Sequence, residues 1–332
     1  MPEFDASSPE PMRLTSEEDK ERLMINAAKL YYDLNYNQNE VARELGLTRW
    51  QVGRLLREAR EIGVVRIEIA PRSRRRIELE TALQRRFGLR DAVIVTAPGA
   101  DEAMALPAVA MEASRYLKAL NPKPEVLGVS WGRTMTAVAH WLTPGWADGL
   151  HVVLLNGATN IRITAFQANM VVERFAETAR GEATLLPVPA IIGDAGSRTA
   201  LERDPVVARV LALAAAAPVA CFGMGALGVE SILVQSGYLD AGDVAALKAK
   251  GAVGDFLGRF VDTDGRIVDP ELDARTIGLS LDAVGVKPWS IGVSAGVQKR
   301  GITLAGLRAK VFNVLIADEA LAQAILKAAG DG

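Results

Sequence analysis

Residues 37–63 read NQNEVARELGLTRWQVGRLLREAREIG, and their spacing predicts two short helices joined by a tight turn. Val41, Ala42 and Leu45 share one face of the first helix, and Val52, Leu55 and Leu56 fill the core side of the second. Gly46 supplies the left-handed residue that the turn needs, Thr48 caps the second helix, and Ala42 is small where the two must cross closely. This is the order of a helix-turn-helix.

Working outward, Thr15 or Ser16 followed by acids reads as the cap of a preceding helix that runs to about Leu34. Its apolar face is Leu23, Ala27, Leu30, Tyr31 and Leu34, and Asn35 to Asn37 breaks it. After Gly63 the alternation in VVRIEIA predicts a strand, a small wing from which Arg66 reaches a DNA backbone. Residues 1–14 are expected to be a disordered leader and 15–70 a winged helix-turn-helix domain.

Charge supports a nucleic-acid role for this head. Between positions 41 and 76 ten arginines face four glutamates, a surplus of six, while the whole chain carries −2. Arg49, Trp50, Gln51 and Arg54, behind the capping Thr48, are the candidates for touching base edges. An arginine can grip guanine and a glutamine adenine through paired hydrogen bonds. Arg57 and Arg60, further along, are placed at phosphates, which position the protein without reading sequence.

Length and composition bound the remainder. The 332 residues suggest two domains, and with 49% apolar and 23% charged residues a large core needs neither disulfide nor metal. The lone Cys221 cannot pair within the chain, and the acidic, proline-containing start lacks the basic patch and apolar run of a signal peptide. The expectation is a cytoplasmic protein with no membrane partner and no cofactor.

The segment PRSRRRIELETALQRRFGL (71–89) reads as a basic stretch and a linker helix over 71–88, with Arg74 to Arg76 available to phosphates. From residue 89 to 330 apolar runs alternate with helical spacing. DAVIVTA, EVLGVSW, HVVLLNGA, ATLLPVPAII, PVACFGMG, WSIGVSAG and FNVLIAD read as strands apolar on both faces. The fold class is therefore α/β, a helix-turn-helix head followed by a large Rossmann-like parallel-sheet effector domain. Ligands on such sheets sit at the carboxyl ends of the strands.

Three of the strand-end loops carry candidate ligand groups. GVSWGRTM leads from a strand into a helix, so Gly132, Arg133 and Thr134 offer amides, a guanidinium and a hydroxyl to an anion. CFGMGALG contributes Gly223 and Gly225, but its third glycine falls one place early for a dinucleotide fingerprint. Asp255 follows a glycine in GAVGDFLGRFVDTDG, where Asp262 and Asp264 read as turn residues, and Lys299 follows a glycine turn in IGVSAGVQKRGITLAG.

Together with the head, GVSWGRTM, LNGA, PVPA, CFGMGALG, GAVGDFLGRFVDTDG and the closing IGVSAGVQKRGITLAGLRAKVFNVLIADEALAQAIL make a chain that resembles the SorC (DeoR-like) sugar-binding transcriptional regulators. The resemblance implies an effector domain related to sugar-phosphate isomerases and deaminases, usually tetrameric, that binds a sugar, polyol or sugar phosphate and alters the grip on operator DNA. It implies that Gly132, Arg133 and Thr134 form the anion loop, that Gln167 and Asn169 belong to a polar effector-facing segment, that Asp255 bonds sugar hydroxyls and that Lys299 lies near the phosphate. Ala295-Gly296 stands where relatives often have two glycines, and Trp131 fills part of the first loop. The effector can either release the DNA, as with a repressor, or hold it more productively, as with an activator.

The fold kinship also raises an alternative, a sugar-phosphate isomerase or deaminase-like enzyme. Its general base would have to come from His140 or His151, both in stretches that read as structural, or from Asp255, with Lys299 able in principle to form a Schiff base.

Overall fold

A computed structural model of the chain describes residues 17–65, 75–158 and 168–330, divided between two units, Met1–Ala70 and Pro71–Gly332. The leader, the Thr15/Ser16 cap, most of the wing with Arg66, the basic residues Arg72 and Arg74, and Gln167 lie outside the described residues.

In the head, α1 (Glu17–Ala28) runs into a π-helical turn (Lys29–Asp33), and Asn35 ends it at φ 57°. Reciprocal caps then set α2 (Gln38–Leu45) and α3 (Arg49–Glu61). Asn37 Oδ1 accepts from the amides of Asn39 and Glu40 at 3.0 and 3.1 Å, while Glu40 Oε2 accepts from the Asn37 amide at 2.7 Å. Thr48 and Gln51 exchange the same pair of bonds at the start of α3. Gly46, at φ 65°, makes the turn between the helices in the left-handed region that a side chain would strain. Met24, Ala27, Val41, Ala42, Val52, Leu55, Leu56 and Ala59 are buried at the centre of the three helices. A Lys20–Glu58 ion pair ties α1 to α3.

In the larger unit, α4 (Ile77–Phe87) leads to β1 (Asp91–Val95), α5 (Glu102–Ala119), β2 (Val126–Val129), α6 (Arg133–Trp141), β3 (His151–Leu154), α7 (Ala168–Thr178) and β4 (Glu182–Thr184). Then come α8 (Ala195–Arg203), α9 (Pro205–Ala216), β5 (Val219–Gly223), β6 (Gly225–Ala226), α10 (Ile232–Gln235) and α11 (Ala241–Ala249). The chain closes with β7 (Gly254–Phe256), β8 (Arg259–Val261), α12 (Pro270–Asp273), α13 (Leu281–Gly285), β9 (Trp289–Ser294), α14 (Arg300–Arg308), β10 (Val314–Asp318) and α15 (Glu319–Gly330).

Seven strands form one all-parallel sheet in the order β1-β10-β9-β5-β2-β3-β4, and each of the seven expected apolar runs supplies one of them. β10 is buried along its whole length and β1 at all but its first residue, as a sheet covered on both faces requires. Of the fourth run only Ala183 and Thr184 lie in a strand, β4, because Pro187 and Pro189 have no N–H for a ladder. A short antiparallel sheet, β6-β7-β8, escaped the sequence reading because its strands are two or three residues long. The chain leaves β2 toward β3 but leaves β5 toward β9, in opposite directions along the sheet. The crevice at that reversal is where an open parallel sheet offers space to a ligand.

The expected linker helix, α4, is docked in the larger unit. Leu83 is buried, and the buried Glu80 accepts from the Ile94 amide at 3.0 Å and from Arg75 Nε and Nη2 at 2.8 and 2.9 Å. The Arg76 amide donates to Ile94 O at 2.7 Å. These bonds occupy the open edge of β1 and fasten the chain to the sheet at its entry into this unit. Glu80→Ala leaves the Ile94 amide and Arg75 without their acceptor and should cost about 2–3 kcal/mol, read as a lower urea midpoint at unchanged slope.

Candidate regulatory sites

On α3 the side chains of Arg49, Trp50, Arg54, Arg57 and Arg60 are exposed, Trp50 to 72%. Trp50 is therefore a surface residue, and the Arg54 guanidinium stands 5.3 Å from its ring centroid, a cation–π contact that holds both side chains outward. Thr48 serves as cap. Gln51 differs from the expectation: its Oε1 accepts from the Thr48 amide at 2.8 Å, so only its Nε2 is left to reach a base. A paired adenine contact needs both atoms and would have to break the cap. Beside Arg49 a polar groove formed by Tyr31, Tyr32, Tyr36 and residues 37–39 borders the start of α2. No charge marks this groove in the sequence, where Tyr31 reads only as part of an apolar helix face and Asn35 to Asn37 only as a helix break.

In the larger unit a cavity opens at the ends of β2, β5 and β9. Its wall brings together Gly132, Arg133, Thr134, Gly223, Gly225, Asp255 and Lys299, residues far apart in sequence and all among the expected ligand groups. Asn169 is not in this wall but on α7. The helix α6 starts at Gly132, φ 112°, with no side-chain cap, so the first-turn amides are left to whatever occupies the space in front of them. Lys299 lies in a 3-10 turn (Val297–Lys299) and is only 3% exposed. Its Nζ donates to Thr134 Oγ1 at 3.3 Å and to Glu102 Oε1 at 2.8 Å.

Asp255 comes from the small sheet, where it pairs with Gly225 across β6 and β7. A Cβ on Gly225 would sit 1.9 Å from Asp255 Oδ1, so glycine is required for the carboxylate to face the cavity. Asp255 Oδ2 accepts from the Gly258 amide at 3.0 Å. Burial pushes its carboxyl up to about 6, against the opposing pull of that hydrogen bond and of Lys299. Burial likewise lowers the Lys299 ammonium, while Glu102 raises it.

Glu102, Ser130, Asn156, Ser231 and Leu257 also line the space, and the sequence reading missed them. Asn156 Oδ1 is buried without a hydrogen-bond partner among the described residues. Trp131 forms part of the wall and is fixed by its Nε1 donating to Gly157 O at 2.9 Å. The two histidines are not in the wall: His140 lies within α6, and His151 Nε2 meets Thr184 Oγ1 at 2.7 Å between β3 and β4. Among the described residues no cluster of His, Cys, Asp or Glu could hold a metal ion, and no helix is long and apolar enough to cross a membrane.

Comparison with known proteins covers both units. The Sugar-bind family model, a sugar-binding domain, matches residues 72–327. The deoxyribonucleoside regulator of Bacillus subtilis is 32% identical over 309 residues, covering 93% of this chain and 98% of its own. The crystal structure of the full-length sorbitol operon regulator SorC from Klebsiella pneumoniae superposes with a TM-score of 0.67 at 25% identity, over 93% of this chain and 99% of that one. A DeoR family transcriptional regulator from Listeria monocytogenes gives a TM-score of 0.68 at 27% identity, over 75% and 98%. The matched length takes in the arginine-bearing head as well as the sheet, and the chain belongs to the family of sugar-binding transcriptional regulators that includes SorC and DeoR, a regulator and not an isomerase or deaminase.

Proposed function

We propose that the protein controls an operon for the breakdown of a carbohydrate or polyol, with α3 in the operator's major groove and a sugar or sugar phosphate in the cavity of the larger unit. The observation that carries this reading is the convergence of Arg133, Thr134, Asp255 and Lys299 on one cavity at the sheet reversal. Two cations and an uncapped helix start suit an anionic group, and a buried carboxylate suits sugar hydroxyls. The protein acts in the cytoplasm as a homo-oligomer, a dimer or tetramer, whose paired heads meet paired half-sites.

Effector and DNA are coupled only to the extent that the effector prefers one arrangement of the protein over another. A thermal-shift panel of sugars, polyols and sugar phosphates tests the reading. At least one compound should raise the melting temperature of the wild type and change its operator affinity. Arg133→Ala should lose that response while keeping operator binding, and an unaltered response in this variant would remove the anion loop from the site.

On the DNA side, Arg54→Ala should relax discrimination at one operator position by roughly 1–3 kcal/mol. Arg60→Ala should weaken operator and random DNA alike and lower the salt slope by about 0.9. Titrations at several salt concentrations separate the two, and identical behaviour would refute the division into base and phosphate contacts.

Asp255 gives a pH prediction. Its carboxyl titrates near 6 in the folded protein against a usual 3.8. The native state therefore holds this proton more tightly than the unfolded chain, and the associated stability is complete below about pH 4 and lost as pH rises through about 6. Asp255→Asn removes that loss and should gain about 2–3 kcal/mol over the wild type between pH 4 and pH 7, while weakening the effector response. Parallel urea denaturation at the two pH values reads the difference.

A further inference from the structure

The cavity that suits an anion is already occupied by one. Glu102, in the first turn of α5, places Oε1 2.8 Å from Lys299 Nζ and Oε2 3.8 Å from Arg133 Nη2. One carboxylate thus bridges the two cations as two oxygens of a phosphate would. With Asp255 included, the ionisable groups of the wall among the described residues are two acids and two bases, so the cavity has no surplus of positive charge.

Backbone packing fixes this arrangement. Gly296 adopts φ 87°, and a Cβ there would lie 2.5 Å from the Glu102 amide nitrogen, so the turn carrying Lys299 rests directly on the start of α5. The Val297 amide donates to Ala100 O at 2.9 Å. Glu102 and Arg133 also line a second, outer groove with Asp101, Leu106, Leu227 and Gln298, so the pair stands on the wall shared by the cavity and the groove.

The loop that leads to Glu102 continues directly from β1. The edge of β1 holds the Arg76 amide at Ile94 O, and just beyond its end Glu319 accepts from both Thr96 Oγ1 at 3.2 Å and Arg76 Nη2 at 3.0 Å. Arg75 and Arg76 are the first described residues of this unit, which begins at Pro71.

We propose that Glu102 is a built-in competitor for the effector's anionic group: its carboxylate holds Arg133 and Lys299 in the free protein, and a phosphate-bearing effector binds by expelling it. This rests on the cavity being the effector site. Glu102 thereby sets selectivity, since a ligand without a strong anion gains nothing by displacing it. It also marks the site for signalling, since its release frees the start of α5 and the loop joined to the anchored edge of β1.

Isothermal titration of the full-length protein with inorganic phosphate tests the inference. Glu102→Gln, which keeps an acceptor for Lys299 but removes the competing charge, should bind phosphate at least tenfold more tightly than the wild type. The gain should vanish in the double variant Glu102→Gln/Arg133→Ala. In the wild type, where folding is not in question, saturating phosphate should accelerate amide exchange across residues 98–105. Equal or weaker phosphate binding by Glu102→Gln, a gain that survives loss of Arg133, or slower exchange in that segment each overturn the proposal and leave the effector site standing. If no form binds phosphate, the anion reading of the cavity falls and takes the role of Glu102 with it.

Discussion

Close backbone approach at the ends of β2 and β5 is the constraint on which the larger unit's chemistry depends. The Ser130 amide donates to Cys221 O at 3.2 Å, and Ser130 Oγ accepts from the Gly223 amide at 3.3 Å, so the two strand ends are stitched where their connections diverge. A Cβ on Gly223 would stand 2.9 Å from Thr134 Cβ, and one on Gly225 would strike Asp255. A side chain at either position would fill the space that the reversal opens. With glycine at both, the start of α6, the small antiparallel sheet and the Lys299 turn close around one volume, and the charged groups they carry are held by backbone geometry before any ligand arrives.

The buried charges of this unit fall into two kinds. Lys287 Nζ donates to the carbonyls of Ala214, Ala215 and Ala217 at 2.9, 2.9 and 2.8 Å, and closes the carboxyl end of α9. Arg259 likewise spends its donors on the carbonyls of Leu279, Thr276 and Gly278 and on Asp273. Both are saturated by the protein itself and need nothing further. Asp255, Lys299 and the orphaned Asn156 Oδ1 instead line open space, with burial working against the charged form of the first two. A fold tolerates such groups where a ligand completes them, and the free protein gives up stability for that readiness.

The parts of this protein that were legible in the sequence are those written in neighbouring residues. Gly46 and Thr48 mark the turn and the cap of α3, and the seven apolar runs mark the parallel sheet. Arg133 and Lys299 were visible because a glycine followed by a polar residue at a helix start is a local pattern with a physical reason. Glu102 was invisible by the same logic, since an acid in a first helical turn is what any helix dipole favours, and its partner Lys299 lies 197 residues away. Gln51 shows how one local rule can hide another: a glutamine three residues after a capping threonine has a backbone amide to serve before it has a base to read. The strands β6 to β8 are too short to show any periodicity, so the direction in which Asp255 points became apparent only from its pairing with Gly225.

A regulator must make the occupancy of one unit matter to the other, and the first described residues of the larger unit, Arg75 and Arg76, lie against an edge strand. β1 is bound on its inner side by the whole β10 ladder, from Asp91–Val314 to Val95–Asp318. On its outer side Arg75, Arg76, Glu80 and Gln84 bond to it. An edge held by a few charge-assisted bonds is the part of a parallel sheet that can be loosened without unfolding the rest. Glu319 accepts from Arg76 on one side and Thr96 on the other, and so ties Arg76 and the loop leading to α5 to a single carboxylate.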